Sequence, residues 1–509
     1  QISRALGPEF GGAVGVVFFA ANSVGITFYL IAFANESRVV VCVVLPGPSD
    51  GADGGTPNEW MIKLYGSAAL LLMLGVSMVG AKFFTKLNLV VFVILLVSII
   101  GTTLSFIIPH GKWDGFSGAR FSKNVGFDFT KDVTSGNQMN FFSVFVVCFP
   151  AVTGIMAGAN MSGDLANPGD SIGFGTLLAI VVSLAVYLLL ILLAAGAFER
   201  DTLVNDVNAM QNIAFNKYLV AMGVVCSTVS SALGNLTGSG RILQALARDG
   251  LFPILNVFKW GTKDGDEPIP AILFAWFIAQ CCMFIGSLNA IASIISEFFL
   301  LVYLFVNVAC FALRVTGAPN FRPRFKYFSW HTALAGALLC IVILFLSSAV
   351  YAAVSIVVLI LVFVYVHCAL GCGVVLGDIT QALLYHQVRK YLLRIDERKS
   401  HVKFWRPSVL LLVQDPSSRR YRNLFLFGNN IKKGGIYVLG SVLVGKFAQT
   451  NKLLAPLRRA WLELIDEHKL KGFPELCFGE DARTAVQNLV SSAGLGGMKP
   501  NTVIVPMYE

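Results

Sequence analysis

The chain has 509 residues, of which 56% are hydrophobic and 13% are charged, whereas an average soluble domain is roughly 25% charged; we therefore expect an integral multi-pass membrane protein. Its net charge of +10 fits cytoplasmic loops that face anionic lipid, and without an arginine-rich arm it gives no support to a nucleic-acid partner. The sequence has no phosphate loop, nucleophile elbow or zinc-protease motif, and its six histidines lack metal-ligand spacing, so we expect neither an enzyme nor a cofactor.

Apolar segments long enough to cross a bilayer recur along the first part of the chain. We predict ten spans, at residues 11–34, 61–80, 87–108, 141–165, 174–197, 218–238, 270–286, 290–313, 332–348 and 350–366. Lysine and arginine cluster in alternate loops and again beyond the tenth span. This pattern predicts that those loops and the C-terminal region face the cytoplasm.

The fourth span carries residues that break a helix. It contains Pro150, Thr153, Gly154, Gly158 and Asn160 within an otherwise apolar segment. Proline removes a backbone donor and glycine tolerates unwound backbone, so amides become available to an anion and carbonyls and hydroxyls to a cation. The alternative is a proline-kinked span repaired by its neighbours, or a helix-packing face built on the two glycines.

Two other spans contain polar groups that suit a cation. Tyr29 lies inside the first span, where a packed or interfacial tyrosine is the alternative to a ligand. Ser230 and Ser231 lie in the sixth span, where serine usually bonds to a carbonyl of its own helix but a pair of hydroxyls can also line a small cation site.

The composition changes near residue 371. We assign residues 1–370 to a transmembrane domain and 371–509 to a cytoplasmic α/β domain with a mainly parallel sheet and a regulatory role. Helices are predicted at 380–393, 456–468 and 482–493, and strands at 409–413, 424–427, 435–439 and 502–505. The chain starts without methionine and ends on a predicted strand, so we expect a fragment in which both ends are incomplete.

Four motifs carry a resemblance to the cation-chloride cotransporter family, solute carrier family 12. They are SRALGPEFGG (3–12), FPAVTGIMAGANMSGDL (149–165), ILQALARDGLFP (242–253) and APNFRPRFKYFSWHTALAG (318–336). Within the family, TQALLYHQVRKYLLRIDERKSHVKFWRP (380–407), IKKGGIYVLG (431–440) and GLGGMKPNT (494–502) most resemble the branch called cation-chloride cotransporter-interacting protein.

The resemblance implies the inverted-repeat amino acid-polyamine-organocation (LeuT-like) transporter fold, followed by a C-terminal domain that dimerises. Gln1 then falls in the loop before the family's third span, so the ten spans correspond to family spans 3 to 12. The expectation follows that the first two spans are absent, including the broken first span that forms the other half of the ion sites.

Site residues are carried over from the family one by one. Tyr29, Pro150 and Thr153 align with residues that hold potassium. The amides of Gly154, Ile155 and Met156 align with those that hold one chloride, and Tyr303 aligns with a tyrosine at the other chloride site. Ser230 and Ser231 align with the sodium ligands of sodium-coupled members.

Two positions depart from sodium-coupled relatives. Asn35 replaces an acidic residue of the outer gate, and Glu297 replaces an asparagine. Glu297 either complements the helix dipole at an outer helix end or faces the outer vestibule and affects access of the cation.

The resulting hypothesis is symport of chloride with a monovalent cation, with potassium first and ammonium or sodium as alternatives. The protein is expected in the plasma membrane or an endolysosomal membrane, as a homodimer through its C-terminal domain. Two other functions stay open: a non-transporting partner that associates with other cotransporters and regulates them, and a carrier of amino acids or polyamines on the same fold.

Overall fold

The computed structural model describes most of the chain. It covers residues 6–44, 59–79, 81–109, 115–131, 138–160, 162, 165, 167–206, 209–262, 266–284, 288–317, 321, 323, 325, 328–370, 379–395, 403, 405–414, 421–445 and 447–506. The chain divides into two compact units, Gln1–Thr380 and Gln381–Glu509. Residue 371, the predicted domain boundary, lies outside the described residues.

The first unit is helical. Its main helices are α1 Pro8–Val44, α2 Glu59–Val79, α3 Ala81–Ile107, α4 Phe141–Cys148, α5 Pro168–Ala197, α6 Lys217–Arg248, α7 Ile269–Met283, α8 Leu288–Thr316, α9 Trp330–Ser347 and α10 Ala349–Leu370. Shorter helices are Gly118–Asn124, Ala157–Asn160, Arg200–Asn205 and Ala209–Ile213, and 3₁₀ turns are Phe149–Val152 and Pro253–Lys259.

Helix occurs at every predicted span. Within the described residues, nine helical segments are long and apolar enough to cross a membrane. The predicted seventh span corresponds to α7, an apolar helix of 15 residues that is shorter than the others. Many of the apolar side chains on these helices are exposed in the protein, for example Leu72 and Phe174, each 73% exposed, as expected of a surface that faces lipid.

Helix α1 lies at the centre of the first unit. Ile26 and Leu30 on α1 are fully buried together with Leu233 and Leu236 on α6. The two helices approach closely at Gly25, where an added Cβ would lie 2.6 Å from Nδ2 of Asn235. A larger residue at position 25 would require the Asn235 side chain to move, so glycine allows this amide of α6 to lie directly against α1.

The fourth span is interrupted as the sequence predicts. Helix α4 ends at Cys148, a 3₁₀ turn covers Phe149–Val152, and helix resumes at Ala157–Asn160. Gly154 lies between them with φ of +93°, a conformation that favours glycine. An added Cβ at Gly154 would meet no atom within 4 Å, and at Gly158 only Cγ2 of Ile172 at 3.9 Å, so the two glycines do not form a close helix-packing face.

The second unit contains a four-stranded parallel sheet of order β3-β2-β1-β4. The strands are β1 Val409–Leu412, β2 Tyr437–Val444, β3 Phe473–Gly479 and β4 Thr502–Ile504, and the helices are α11 Ile379–Leu392, α12 Arg422–Ile431, α13 Phe447–Glu467 and α14 Ala482–Ser492. All three strand pairs are parallel. The predicted parallel α/β arrangement is confirmed.

One local prediction in this unit is wrong, and one strand was missed. The predicted strand at 424–427 is part of helix α12, in which Phe425 and Gly428 are buried while Phe427 is exposed; burial every three residues is a helical pattern. Strand β3 was not predicted, because Pro474 and Glu475 interrupt its apolar pattern. The sheet places β3 at an edge, where proline is tolerated.

Candidate functional site

A cavity of about 350 Å³ lies where the break in the fourth span meets α1, α3 and α6. It is lined by Phe18, Asn22, Tyr29, Asn88, Thr153, Gly154, Met156, Ala157, Asn160, Ser230, Ser231, Gly234, Asn235, Thr237, Gly238, Arg241, Glu267 and Phe299. Hydroxyl and amide side chains from three helices therefore face one space inside an otherwise apolar bundle.

The three residues predicted to hold potassium lie together. The Thr153 hydroxyl donates a hydrogen bond of 2.7 Å to the carbonyl oxygen of Pro150, and the half-buried Tyr29 interacts with the Thr153 side chain. Tyr29 and Thr153 line the cavity, while Pro150 is buried behind them. A carbonyl and two hydroxyls within contact of one another form a cluster of neutral oxygens, the ligand type that hard cations take.

The predicted anion ligands follow directly along the chain. Among the described residues, the amides of Gly154, Ile155 and Met156 donate to no backbone carbonyl. Gly154 and Met156 line the cavity. The side chain of Ile155 does not line it and is 42% exposed. The unwound segment therefore presents amides that are free of the helical ladder beside the oxygen cluster, as an anion site requires.

Tyr303 on α8 approaches the same segment. The Gly154 amide is the backbone group that interacts with its hydroxyl, but no hydrogen bond of standard geometry reaches this buried oxygen within the part of the chain that the structure describes. A buried hydroxyl without a partner costs free energy. The Tyr303 hydroxyl can therefore donate to an anion held at the Gly154 amide.

The predicted sodium residues line the same cavity. Ser230 and Ser231 both line it from α6. The Ser230 hydroxyl donates a hydrogen bond of 2.7 Å to Oδ1 of Asn88 on α3. Ser230 is thus engaged across helices rather than with a carbonyl of its own helix, which was the alternative that its sequence left open.

Asn35 and Glu297 lie away from this cavity. Asn35 is exposed near the end of the first apolar segment. Glu297 is 0% exposed, nine residues after the start of α8, and its carboxylate accepts a hydrogen bond from the Ser347 hydroxyl of α9. Both locations expected for Glu297 are therefore corrected: it is inside the helix rather than at its end, and it is packed against α9 rather than open to a vestibule.

Sequence reasoning missed several residues of the site. Asn88 gave a usable signal, because it is the only polar residue in the run 87–97.

Arg241 and Glu267 line the cavity as an ion pair with 3.6 Å between nitrogen and oxygen. Beside them, hydrogen bonds from Arg248 lower the pKa of the Asp266 carboxyl, so this end of the cavity is charged.

Comparison with known proteins places this geometry in a family. A family model described as amino acid permease matches residues 2–411. The chain belongs to the amino acid permease family. The family model confirms the predicted inverted-repeat transporter fold, and together with the apolar helices it makes this permease-family chain an integral multi-pass membrane protein.

Individual relatives refine the comparison. The chain is 39% identical over its whole length to solute carrier family 12 member 9 of Danio rerio and covers 59% of that protein. It is 37% identical to the Homo sapiens protein of the same name, with 58% covered. It is 33% identical to vacuolar cation-chloride cotransporter 1 of Saccharomyces cerevisiae, with 45% covered. The resemblance to solute carrier family 12 is confirmed, and the chain spans less than two thirds of these relatives' length.

Proposed function

We propose that this protein is a secondary active transporter that moves chloride together with a monovalent cation, and that potassium is the cation. The observation that carries the proposal is the cavity beside Gly154, where the Thr153 and Tyr29 oxygens adjoin backbone amides that bond to no backbone carbonyl within the described residues. One break in a span supplies both cation and anion ligands, so that the two ions lie close enough to attract each other in a medium of low dielectric constant.

The choice of cation rests on the ligands. Neutral carbonyl and hydroxyl oxygens replace the hydration shell of a large alkali cation without adding a fixed charge. Ammonium is the second choice, since its hydrogens can be accepted by the same oxygens. The names of the relatives support the class, because the Saccharomyces cerevisiae relative is called a cation-chloride cotransporter.

The two units have different proposed roles. Residues 1–370 form the transport domain, and 371–509 form a cytoplasmic regulatory domain through which two copies associate. The basic loops predicted to face the cytoplasm support this topology. The plasma membrane and an endolysosomal membrane are both compatible with it, as is association with other cotransporters.

The test is uptake of a rubidium tracer, standing in for potassium, by proteoliposomes that contain the full-length protein. Chloride is present or replaced by gluconate, and ammonium or sodium is varied in turn. We expect uptake that requires chloride and that potassium inhibits by competition. Folded protein that gives no chloride-dependent uptake with any of these cations would contradict the proposal and favour the regulatory partner; uptake of an amino acid or polyamine instead would favour the third function.

A further inference from the structure

Glu297 carries a carboxyl group that is buried inside a membrane helix. It is 0% exposed and lies nine residues after the start of α8. Its Oε1 is bonded to the Ser347 hydroxyl at the end of α9. Its Oε2 is also buried and has no hydrogen-bond partner within the described residues. Because an ionisable group inside a span is costly, its presence there indicates a function.

No basic residue offsets a negative charge on Glu297. Within the described residues, burial and the Ser347 hydrogen bond act on the carboxyl, and no charged group does. The elements packed on α8 are α1, α4, α9, α10 and the turn Phe149–Val152. The described basic residues of α8 and these elements are Arg314, His331 and His367, each 16 or more residues along its helix from Glu297, Ser347 or the start of α10. A rise of about 1.5 Å per residue makes this roughly 24 Å or more.

The other titratable groups near Glu297 bring no positive charge either. Those in the halves of the packed helices nearest to it are a carboxyl, phenols and thiols, which are neutral or negative when they titrate. They are Tyr29, Glu36, Cys148, Tyr303, Cys340 and Tyr351. An ionised Glu297 would therefore be a buried charge without a counter-ion, which is strongly unfavourable.

The neutral carboxyl fits the surrounding hydrogen bonds better than the ionised one. The Ser347 oxygen bonds to Oε1 of Glu297 and lies 3.2 Å from the carbonyl oxygen of Leu344, but a hydroxyl has one hydrogen to donate. A protonated Glu297 donates to Ser347, whose own hydrogen then goes to Leu344, so both hydrogens have an acceptor. An ionised Glu297 takes the single hydrogen of Ser347 and keeps a charged Oε2 without a partner.

Glu297 lies beside the broken span. The hydroxyl of the neighbouring Ser296 bonds to the Ala292 carbonyl oxygen at 2.8 Å and lies 3.2 Å from that of Val146, two residues before α4 ends. Ser347 is the last residue of α9 and directly precedes the connection to α10. In repeat-built transporters, groups of helices rock against each other around the bound ions. Glu297 therefore lies where such a movement would admit water.

We propose that Glu297 is a proton-binding site of the transport cycle. Its carboxyl carries a proton while α8 and α9 are packed as in this structure. When the helices part and water enters, the O–H bond breaks, its electron pair stays on the carboxylate and the proton passes to water. The inference rests on the proposed function in that the cycle is the one that drives chloride-dependent uptake.

The ligand chemistry identifies a proton rather than a metal cation as the occupant. Hard cations take several oxygen ligands, whereas the Ser347 hydroxyl is the one side-chain group bonded to this carboxyl among the described residues. Glu297 does not line the cavity that contains the proposed cation ligands. Because the proton binds to the packed arrangement, acid favours packing and alkali favours separation of α8 from α9.

The first experiment detects this proton by infrared spectroscopy of the purified full-length protein, in which a protonated carboxyl has its own band. At about pH 7 an exposed glutamate, with a pKa of about 4.3, is ionised. We expect a band that Glu297→Gln removes and that Ser347→Ala shifts in frequency. Glu36→Gln is the matched control and should keep the band, because Glu36 also bonds to one side chain, that of Gln211, but is only half-buried.

The second experiment measures chloride-dependent rubidium uptake at about pH 6 and about pH 8. One bound proton changes an equilibrium by up to about tenfold per pH unit, so wild-type uptake should be at least about threefold slower at the lower pH. Glu297→Gln is always neutral and should show the slow rate at both pH values. Glu36→Gln should follow the wild type.

The outcomes separate this inference from the proposed function. A wild-type protein without the band, a band that persists in Glu297→Gln, or a pH dependence that Glu297→Gln shares with the wild type overturns the inference. A band that Glu297→Gln removes, in protein without uptake of any cation, supports the proton site and contradicts the proposed function. If Glu297→Gln fails to fold, Ser347→Ala decides: an unshifted band overturns the inference.

Discussion

The amide and the hydroxyl of Thr153 both donate to the carbonyl oxygen of Pro150, at 3.3 and 2.7 Å. Two donors from one residue thus stabilise a buried carbonyl that the broken helix leaves without its usual helical partner. They occupy both lone pairs of that oxygen, so a cation that binds the Pro150 carbonyl must displace one of them. Because the Thr153 hydrogen is used in this way, the lone pairs of its oxygen stay available to a cation beside Tyr29.

Thr153→Ala removes this oxygen from the proposed potassium site. Loss of an interaction with a charged group costs about 1.5–3 kcal/mol, so the half-saturating potassium concentration for chloride-dependent uptake should rise roughly 10- to 100-fold. Thr153→Ser keeps the oxygen and serves as the control. An unchanged potassium dependence in the alanine variant would remove Thr153 from the site.

Tyr303→Phe tests the proposed chloride site. We expect the half-saturating chloride concentration to rise roughly tenfold, because the hydroxyl near the Gly154 amide is lost as a donor. Tyr187→Phe is the matched control. The Tyr187 hydroxyl also contacts the break, because it donates a hydrogen bond of 3.1 Å to the carbonyl oxygen of Ala151, but Tyr187 is exposed. Equal effects of the two variants on chloride dependence would mean that Tyr303 supports only the backbone.

Gly154→Ala tests whether the unwound backbone is needed. Space for a methyl group is available, so the cost comes from the φ of +93° and should be about 1–3 kcal/mol. We expect a lower melting temperature and loss of uptake. Gly158→Ala, which meets only an ordinary contact, should leave both unchanged. Uptake that survives in Gly154→Ala would show that the break can re-form without a left-handed residue.

Ser441→Ala tests the core of the C-terminal unit. The Ser441 hydroxyl donates to Val413 oxygen at 2.6 Å and accepts from Nε1 of Trp461 at 3.0 Å, and Trp461 is fully buried. The variant leaves a buried indole donor without this partner, which costs about 1–3 kcal/mol. Hydrogen exchange of the full-length protein should accelerate in β1 and β2, whereas exposed Ser491→Ala should have no effect. Unchanged protection of the β2 amides against hydrogen exchange would mean that a water molecule accepts the Trp461 hydrogen bond in place of the Ser441 hydroxyl.

The sequence predicted the site unevenly. The break was predictable because proline and glycine act on their own backbone, and the residues at 150, 153 and 154 lie within one turn of each other. Asn88 was missed because an isolated amide in a span gives no partner by itself; its partner Ser230 is 142 residues away. Residues 424–427 were wrongly predicted as a strand, because four apolar residues do not reveal which of them will be buried in the tertiary structure.

By itself, the sequence determined that this protein is built from apolar spans, that one of them is broken between Pro150 and Gly154, and that a parallel α/β unit follows, because hydrophobic length and backbone chemistry are local properties. Only the tertiary structure decided that Asn88 meets Ser230 and that Glu297 is buried against Ser347. Those pairs depend on which faces of distant helices pack together, and helix packing is set by the combined shape of many side chains rather than by any one segment.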